Sequence, residues 1–177
     1  MSNYKLSKEA VALLKEIEVL SLQPYDDSKG IKSAPTKSWS PESTIGYGHL
    51  ILQKEWNQYK NGITKEQAEA LFLKDSEPMV TAINKLLKVP VTQQEFDALV
   101  ILAFNIGLGA FIKSSVLKMV NKVGGSNYPT LEEAWLAFNK DQGKVSKGLV
   151  NRRKAEYNIY TNGGYQRWCY WVMFDKG

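Results

Sequence analysis

A chain of 177 residues, 44% of them hydrophobic, can build a packed core, which excludes wholesale disorder. One histidine and one cysteine leave no basis for a structural zinc site, and the single Cys169 excludes an intrachain disulfide. The formal net charge of +5 is uneven: residues 1–88 carry 12 Lys against 11 acids, residues 89–177 carry 11 Lys or Arg against 7.

Such a basic excess suits a polyanionic partner (cell wall, nucleic acid or anionic membrane) or serves solubility alone. The N-terminus has no apolar leader and no run reaches membrane-spanning length, so the expectation is a protein made in the cytoplasm without a signal peptide or membrane insertion. Any Ser-His-Asp or Cys-His chemistry would have to use His49.

Ser7 is placed to cap a first helix running to about Ser21, with Ala10, Val11, Leu13, Leu14, Ile17 and Leu20 as its apolar stripe and Pro24 as its end. Residues 24–48 hold three prolines and three glycines, which predicts turns with short strands in a small sheet. Thr64 and Gln67 form a capping box that opens a helix through Ala68, Leu71 and Phe72, with Pro78 as a kink and Val89-Pro90 as the break. A second box, Thr92 with Glu95, opens a helix apolar on much of its circumference, the pattern of a central core helix ended by Gly107 and Gly109. Short helices are predicted near 115–123 and 131–139, the second opened by Thr130 with Glu133. A last helix over about 148–161 stops before Gly163-Gly164. The tail Trp168 to Phe174 suits either packing on the core or stacking on sugar rings. The expected fold is α+β and mainly helical: one domain, 1–177, with an N-terminal α+β lobe of about 1–62, an inter-lobe helix of 63–90 and a helical lobe of 91–177 around a cleft.

Glycoside hydrolysis needs a protonated acid on one side of the scissile bond and an ionised carboxylate on the other. Glu18 fits the acid because it lies at the edge of the apolar stripe, where partial desolvation favours the neutral form; Glu16 falls on the wetter face. Asp27 fits the base, since it follows Pro24 and Tyr25 in an open turn where a carboxylate stays hydrated.

The run Glu18 to Asp27, followed by Thr44-Ile45-Gly46-Tyr47-Gly48-His49, resembles the active-site stretch of phage lysozymes of the T4 and P22 kind. The likeness continues through Ile63 to Phe72, through Phe96 to Ser115, and through Gly148-Leu149-Val150-Asn151-Arg152-Arg153-Lys154-Ala155-Glu156, so it covers roughly residues 7 to 161. It implies a lysozyme-like fold and a muramidase acting on peptidoglycan as a monomer, with no cofactor and no metal. It also implies Glu18 as general acid, Asp27 as the carboxylate facing the other side of the sugar, Thr44 holding the attacking water, and inversion at the anomeric carbon. Tyr25, Tyr47, Asn105 and Arg152 are implied as substrate-binding or supporting residues. Arg152 either orients Glu18 or lies on a helix surface, and His49 is implied to pair with Asp75 at the end of the inter-lobe helix.

Two departures stand inside the matching region. Sixteen residues, Ser28 to Ser43, separate Asp27 from Thr44 where the family has a handful; this basic segment with Trp39 is either a rim that contacts glycan or peptide stem, or a surface insertion. Val19 stands where glycine is usual. An endolysin and a delivered antibacterial effector share this chemistry. A lytic transglycosylase needs the acid but no Asp27, a silent wall-binding module needs neither, and a nucleic-acid binder has only charge and Arg152-Arg153-Lys154 in its favour.

Overall fold

A computed structural model of the chain describes residues 3–29, 34–141 and 143–165. The order is α1 (Lys8–Ile17), β1 (Ser21–Asp26), β2 (Ser43–Gly46), β3 (His49–Leu50), α2 (Trp56–Tyr59), α3 (Lys65–Leu86), α4 (Gln93–Ile106), α5 (Leu108–Lys113), α6 (Ser115–Val120), α7 (Leu131–Leu136), β4 (Lys140–Asp141), β5 (Lys144–Val145) and α8 (Lys147–Asn162). Two compact units form: residues 14–78, and residues 1–13 together with 79–177. Residues 1–13 thus group with the helices and not with the sheet.

In the first unit an antiparallel sheet runs β1-β2-β3. Ile45, Ile51, Tyr59 and Leu71 make its buried cluster, with Trp39, Trp56 and Ile63 packed against them. The first helix stops at Ile17, short of the expected Ser21, because Ser21 is already recruited into β1 opposite Gly46. Pro24 therefore lies inside a strand and does not terminate a helix. It is tolerated because the register shifts between Ser21 and Tyr25, an irregularity that removes the demand for its missing N–H. Helix α3 opens on the Thr64 box, with Thr64 N–H donating to Gln67 Oε1 at 2.8 Å and Gln67 N–H to Thr64 Oγ1 at 3.2 Å. It runs on through Pro78 to Leu86, so the proline does not end it.

In the second unit α4 is the core: Phe96 through Ala103 are all buried. It packs against α8 and α5, while α7 packs against α6 and α8. The caps that the sequence predicts at Ser7, Thr92 and Thr130 all form, and Gly163, at φ 66°, closes α8 by donating to Ile159 O at 2.9 Å. The fully buried Asp97 carboxylate ties three segments, accepting from Ser7 N–H at 3.1 Å, Gln93 Nε2 at 2.9 Å and Tyr165 Oη at 2.6 Å. The helix expected over 131–139 ends at Leu136, and Lys140–Asp141 pairs with Lys144–Val145 as the antiparallel β4-β5, with Gly143 between them at φ 80°. The aromatic segment 168–174 lies outside the described residues.

Burial raises the phenol of Tyr160 to about 12, with Glu95 and Tyr157 adding to it, and burial with the bond to Asp97 raises Tyr165 further. A raised tyrosine keeps its proton in the native state when the unfolded chain has released it, so stability falls as pH climbs past the ordinary value of 10. Tyr160→Phe is expected to flatten the loss of thermal stability between pH 10 and 12 relative to the native protein, read from unfolding midpoints across that range.

Candidate active site

Glu18 stands one residue beyond α1, and its N–H still donates to Leu14 O at 2.9 Å, so the carboxylate projects from a fixed helix end. Its side chain is half-buried, while Glu16 is exposed. Gly48 lies beside it in the β2-β3 turn at φ 87°; a Cβ built there would come 3.7 Å from Glu18 Oε2. Glycine suits that point because it adopts the left-handed backbone freely, whereas a Cβ there would make only ordinary contact with the carboxylate.

Tyr25 is buried on β1, directly opposite Thr44 on β2. Its phenol is held above the ordinary value by burial first, then by the charges of Asp27 and Glu18. Both carboxylates contribute to that rise, and both belong to the unit of residues 14–78. Asp27 opens a 3-10 turn over Asp27–Lys29 and is exposed. Its neighbour Asp26 is committed elsewhere. Ser28 N–H and Oγ donate to Asp26 Oδ1 at 3.1 and 2.5 Å and Lys29 Nζ lies 3.1 Å from Oδ2, contacts that lower the Asp26 carboxyl.

One backbone oxygen joins Asp27 to Thr44. The carbonyl of Glu42 accepts from Asp27 N–H at 2.9 Å and from Thr44 Oγ1 at 3.2 Å. A hydroxyl whose proton is given to a carbonyl presents lone pairs to its surroundings, so Thr44 can accept from a water.

The family model described as phage lysozyme matches residues 15–156. The endolysin of Bacillus phage PZA is 38% identical over 163 residues, 90% of this chain and 56% of that protein; that of Salmonella phage P22 is 34% identical over 160 residues, 89% of this chain and 99% of that protein. The chain spans little more than half the length of the Bacillus phage relatives it matches. Among solved structures, an endolysin from Escherichia coli O157:H7 phage FAHEc1 superposes with a TM-score of 0.72 at 38% identity, covering 93% of this chain and 98% of that one. The muramidase domain of SpmX from Asticaccaulis excentricus gives 0.67 at 32% identity, covering 90% and 99%.

The chain belongs to the phage lysozyme family. The lysozyme-like, mainly helical fold expected from the sequence is the fold of these neighbours. Val19, the departure from the family's usual glycine, is 60% exposed, and Lys122 alone among the described non-glycine residues has a positive φ, so no left-handed backbone demands a glycine at 19.

The remaining family-implied residues fall in both units. Tyr47 packs edge-on to Phe72, with centroids 5.8 Å apart, and Lys15 Nζ sits 5.5 Å from its ring centre while pairing with Glu69 at 2.5 Å. In the helical unit Asn105 and Arg152 line one groove of about 690 Å³, together with Phe138, Lys140 and Ser146. Both are held from behind: Asn105 Oδ1 accepts from Arg153 Nη2 at 2.5 Å, and Arg152 Nε donates to Glu156 Oε1 at 3.0 Å. Glu156 also accepts from Arg153 at 2.9 Å and from Trp135 Nε1 at 3.1 Å, with Arg153, Glu156 and Trp135 all fully buried. Burial lowers the Arg153 guanidinium to about 10 and raises the Glu156 carboxyl, against the attraction of the two arginines. The i,i+3 and i,i+4 spacing of Arg153 and Arg152 to Glu156 was the available signal for this network; its complete burial was not visible in the sequence.

His49 Nδ1 donates to Asp75 Oδ2 at 2.8 Å, and its ring meets Tyr59 edge-on at 5.5 Å. Asp75 lies at the middle of α3 and not at the end of the inter-lobe helix, where the resemblance put it. The bond is a strut between β3 and α3. Asp75 is 40% exposed, so water screens the pair, and Asp75→Asn is expected to cost about 1 kcal/mol, or about 3 °C in Tm, by calorimetry.

Proposed function

We propose that the chain is a muramidase that hydrolyses the β-1,4 bond between N-acetylmuramic acid and N-acetylglucosamine in peptidoglycan. Glu18 protonates the leaving glycosidic oxygen. Asp27 takes a proton from a water that Thr44 holds through its free lone pairs, and the water attacks the anomeric carbon from the face opposite the departing oxygen, inverting it. That geometry asks for carboxyl groups roughly 6.5–9.5 Å apart, enough for the water between them. The observation that carries the reading is a half-buried Glu18 at a helix end beside Gly48, with an exposed Asp27 in a turn tied to Thr44 through the Glu42 carbonyl. Their unlike surroundings suit unlike roles.

Relatives named endolysins and a structural neighbour named a muramidase support this chemistry and its site of action, the bacterial cell wall reached after release. Among the described residues no helix is long and apolar enough to cross a membrane. Tyr25 and Tyr47 support the acid end, and within the helical unit Asn105 and Arg152 are candidate substrate-binding residues of their own groove. The catalytic set comes from one chain, so a monomer suffices.

Glu18→Gln is expected to cut release of muropeptides from purified peptidoglycan by about 1,000-fold or more, and Asp27→Asn nearly as far, with folding intact by circular dichroism. Asp26→Asn, which changes the committed neighbour, is expected to stay within about threefold because it removes no group that meets substrate. Mass analysis of the native products reads hydrolysis as reducing muramic ends, whereas anhydro ends would identify a transglycosylase and full activity in Glu18→Gln would refute the assignment.

A further inference from the structure

We propose that Trp39 and Ser43 are positioning residues: they latch the long segment between Asp27 and Thr44 so that the Glu42 carbonyl is delivered to both. The problem they solve is specific to this chain. Sixteen residues separate Asp27 from Thr44, and β2 has only four residues with which to hold the returning strand in register. A flexible closure of that length fixes its ends poorly without further contacts.

The described part of the segment supplies those contacts in sequence order. Thr36 N–H donates to Pro24 O at 2.8 Å, bringing the segment beside β1. Trp39 then turns inward. Its indole packs on the cluster of Ile45, Ile51, Tyr59 and Leu71, and its Nε1 donates to Ile51 O at 2.8 Å. The ring is half-buried against that core. Next, a tight turn closes on Ser43, which is fully buried: Ser40 N–H donates to Ser43 Oγ at 2.8 Å, and Ser43 N–H to Ser40 O at 3.0 Å. Ser43 O also accepts from Ile51 N–H at 2.8 Å. Glu42 sits inside this turn, and its carbonyl is the oxygen shared by Asp27 N–H and Thr44 Oγ1. Trp39 thus fixes where the turn begins, Ser43 fixes its shape, and the carbonyl between them sets the spacing of the water-handling pair.

The test combines kinetics with amide exchange in the full chain. Ser43→Ala removes the acceptor for Ser40 N–H, Trp39→Ala removes the anchor, and Trp39→Phe keeps most of the packing while losing the bond to Ile51. On soluble peptidoglycan fragments, Ser43→Ala and Trp39→Ala are expected to lower kcat by about 10- to 100-fold with KM within about twofold, because the pair is misplaced and binding is not. Trp39→Phe is expected to recover most of the lost kcat. Hydrogen exchange at the Asp27 amide should accelerate in the same order, while exchange in α4 stays at the native level. Native-like kcat and Asp27 protection in Ser43→Ala would overturn the latch, as would a Trp39→Phe variant no better than Trp39→Ala or a KM increase matching the fall in kcat/KM. If Trp39→Ala does not fold, the other two variants decide. The kinetic arm rests on the muramidase reading and the exchange arm does not. A native chain that leaves peptidoglycan intact refutes that reading, and the Asp27 amide still judges the latch.

Discussion

The antiparallel register of β1 on β2 is the constraint on which the candidate site depends. Tyr25 faces Thr44 and Asp26 faces Ser43, so the next residue, Asp27, reaches back to the carbonyl of Glu42. A slip of one residue would send every side chain of the strand to the opposite face. Thr44 would leave its place beside Asp27, and Ile45 would leave the cluster it shares with Ile51, Tyr59 and Leu71. The core and the proposed catalytic pairing therefore specify the same register. This explains how a long insertion between Asp27 and Thr44 is accommodated without separating them: the residues nearest the strands are pinned by packing and by backbone bonds.

Chemistry adds a second requirement, that neighbouring carboxylates differ in environment. Three acids lie close in sequence, and the fold treats each differently. Glu18 is half-buried at a helix end, Asp27 is exposed in a turn, and Asp26 is engaged by Ser28 and Lys29. Distinct surroundings are what allow one carboxyl to donate a proton while another accepts one. In the helical unit the same economy of roles recurs. The buried Glu156 gathers Arg152, Arg153 and Trp135, and Arg153 in turn occupies the amide oxygen of Asn105. Buried charges of this kind add little net stability, but they fix orientation once every partner is in place. Asn105 and Arg152 consequently meet their groove with one side of each already occupied.

Local signals were legible wherever the backbone itself decides. The caps at Ser7, Thr64, Thr92 and Thr130 and the stop at Gly163 are short-range hydrogen-bond and φ preferences, and all were readable from residue types alone. The signals failed where tertiary pairing overrides propensity. Ser21 reads as the last turn of a helix until β2 claims it, and Pro24 reads as a terminator until a strand irregularity absorbs it. The β4-β5 hairpin is too short to show a period of two. For the site, the motif around Glu18, Asp27 and Thr44 was legible through family likeness. The hydrogen bonds of Glu42 and Ser43 were not, because a carbonyl leaves no trace in sequence and a buried serine looks like any loop serine. Trp39 was visible as a tryptophan, but its inward orientation was not.

A structure of the Glu18→Gln variant with a peptidoglycan saccharide bound tests the central claim most directly. The expected result is a glycosidic oxygen within hydrogen-bond reach of residue 18, and on the other face of the same sugar a water held between Asp27 and Thr44 Oγ1. A saccharide bound away from these residues, or Asp27 and Thr44 parted with no water between them, would contradict it.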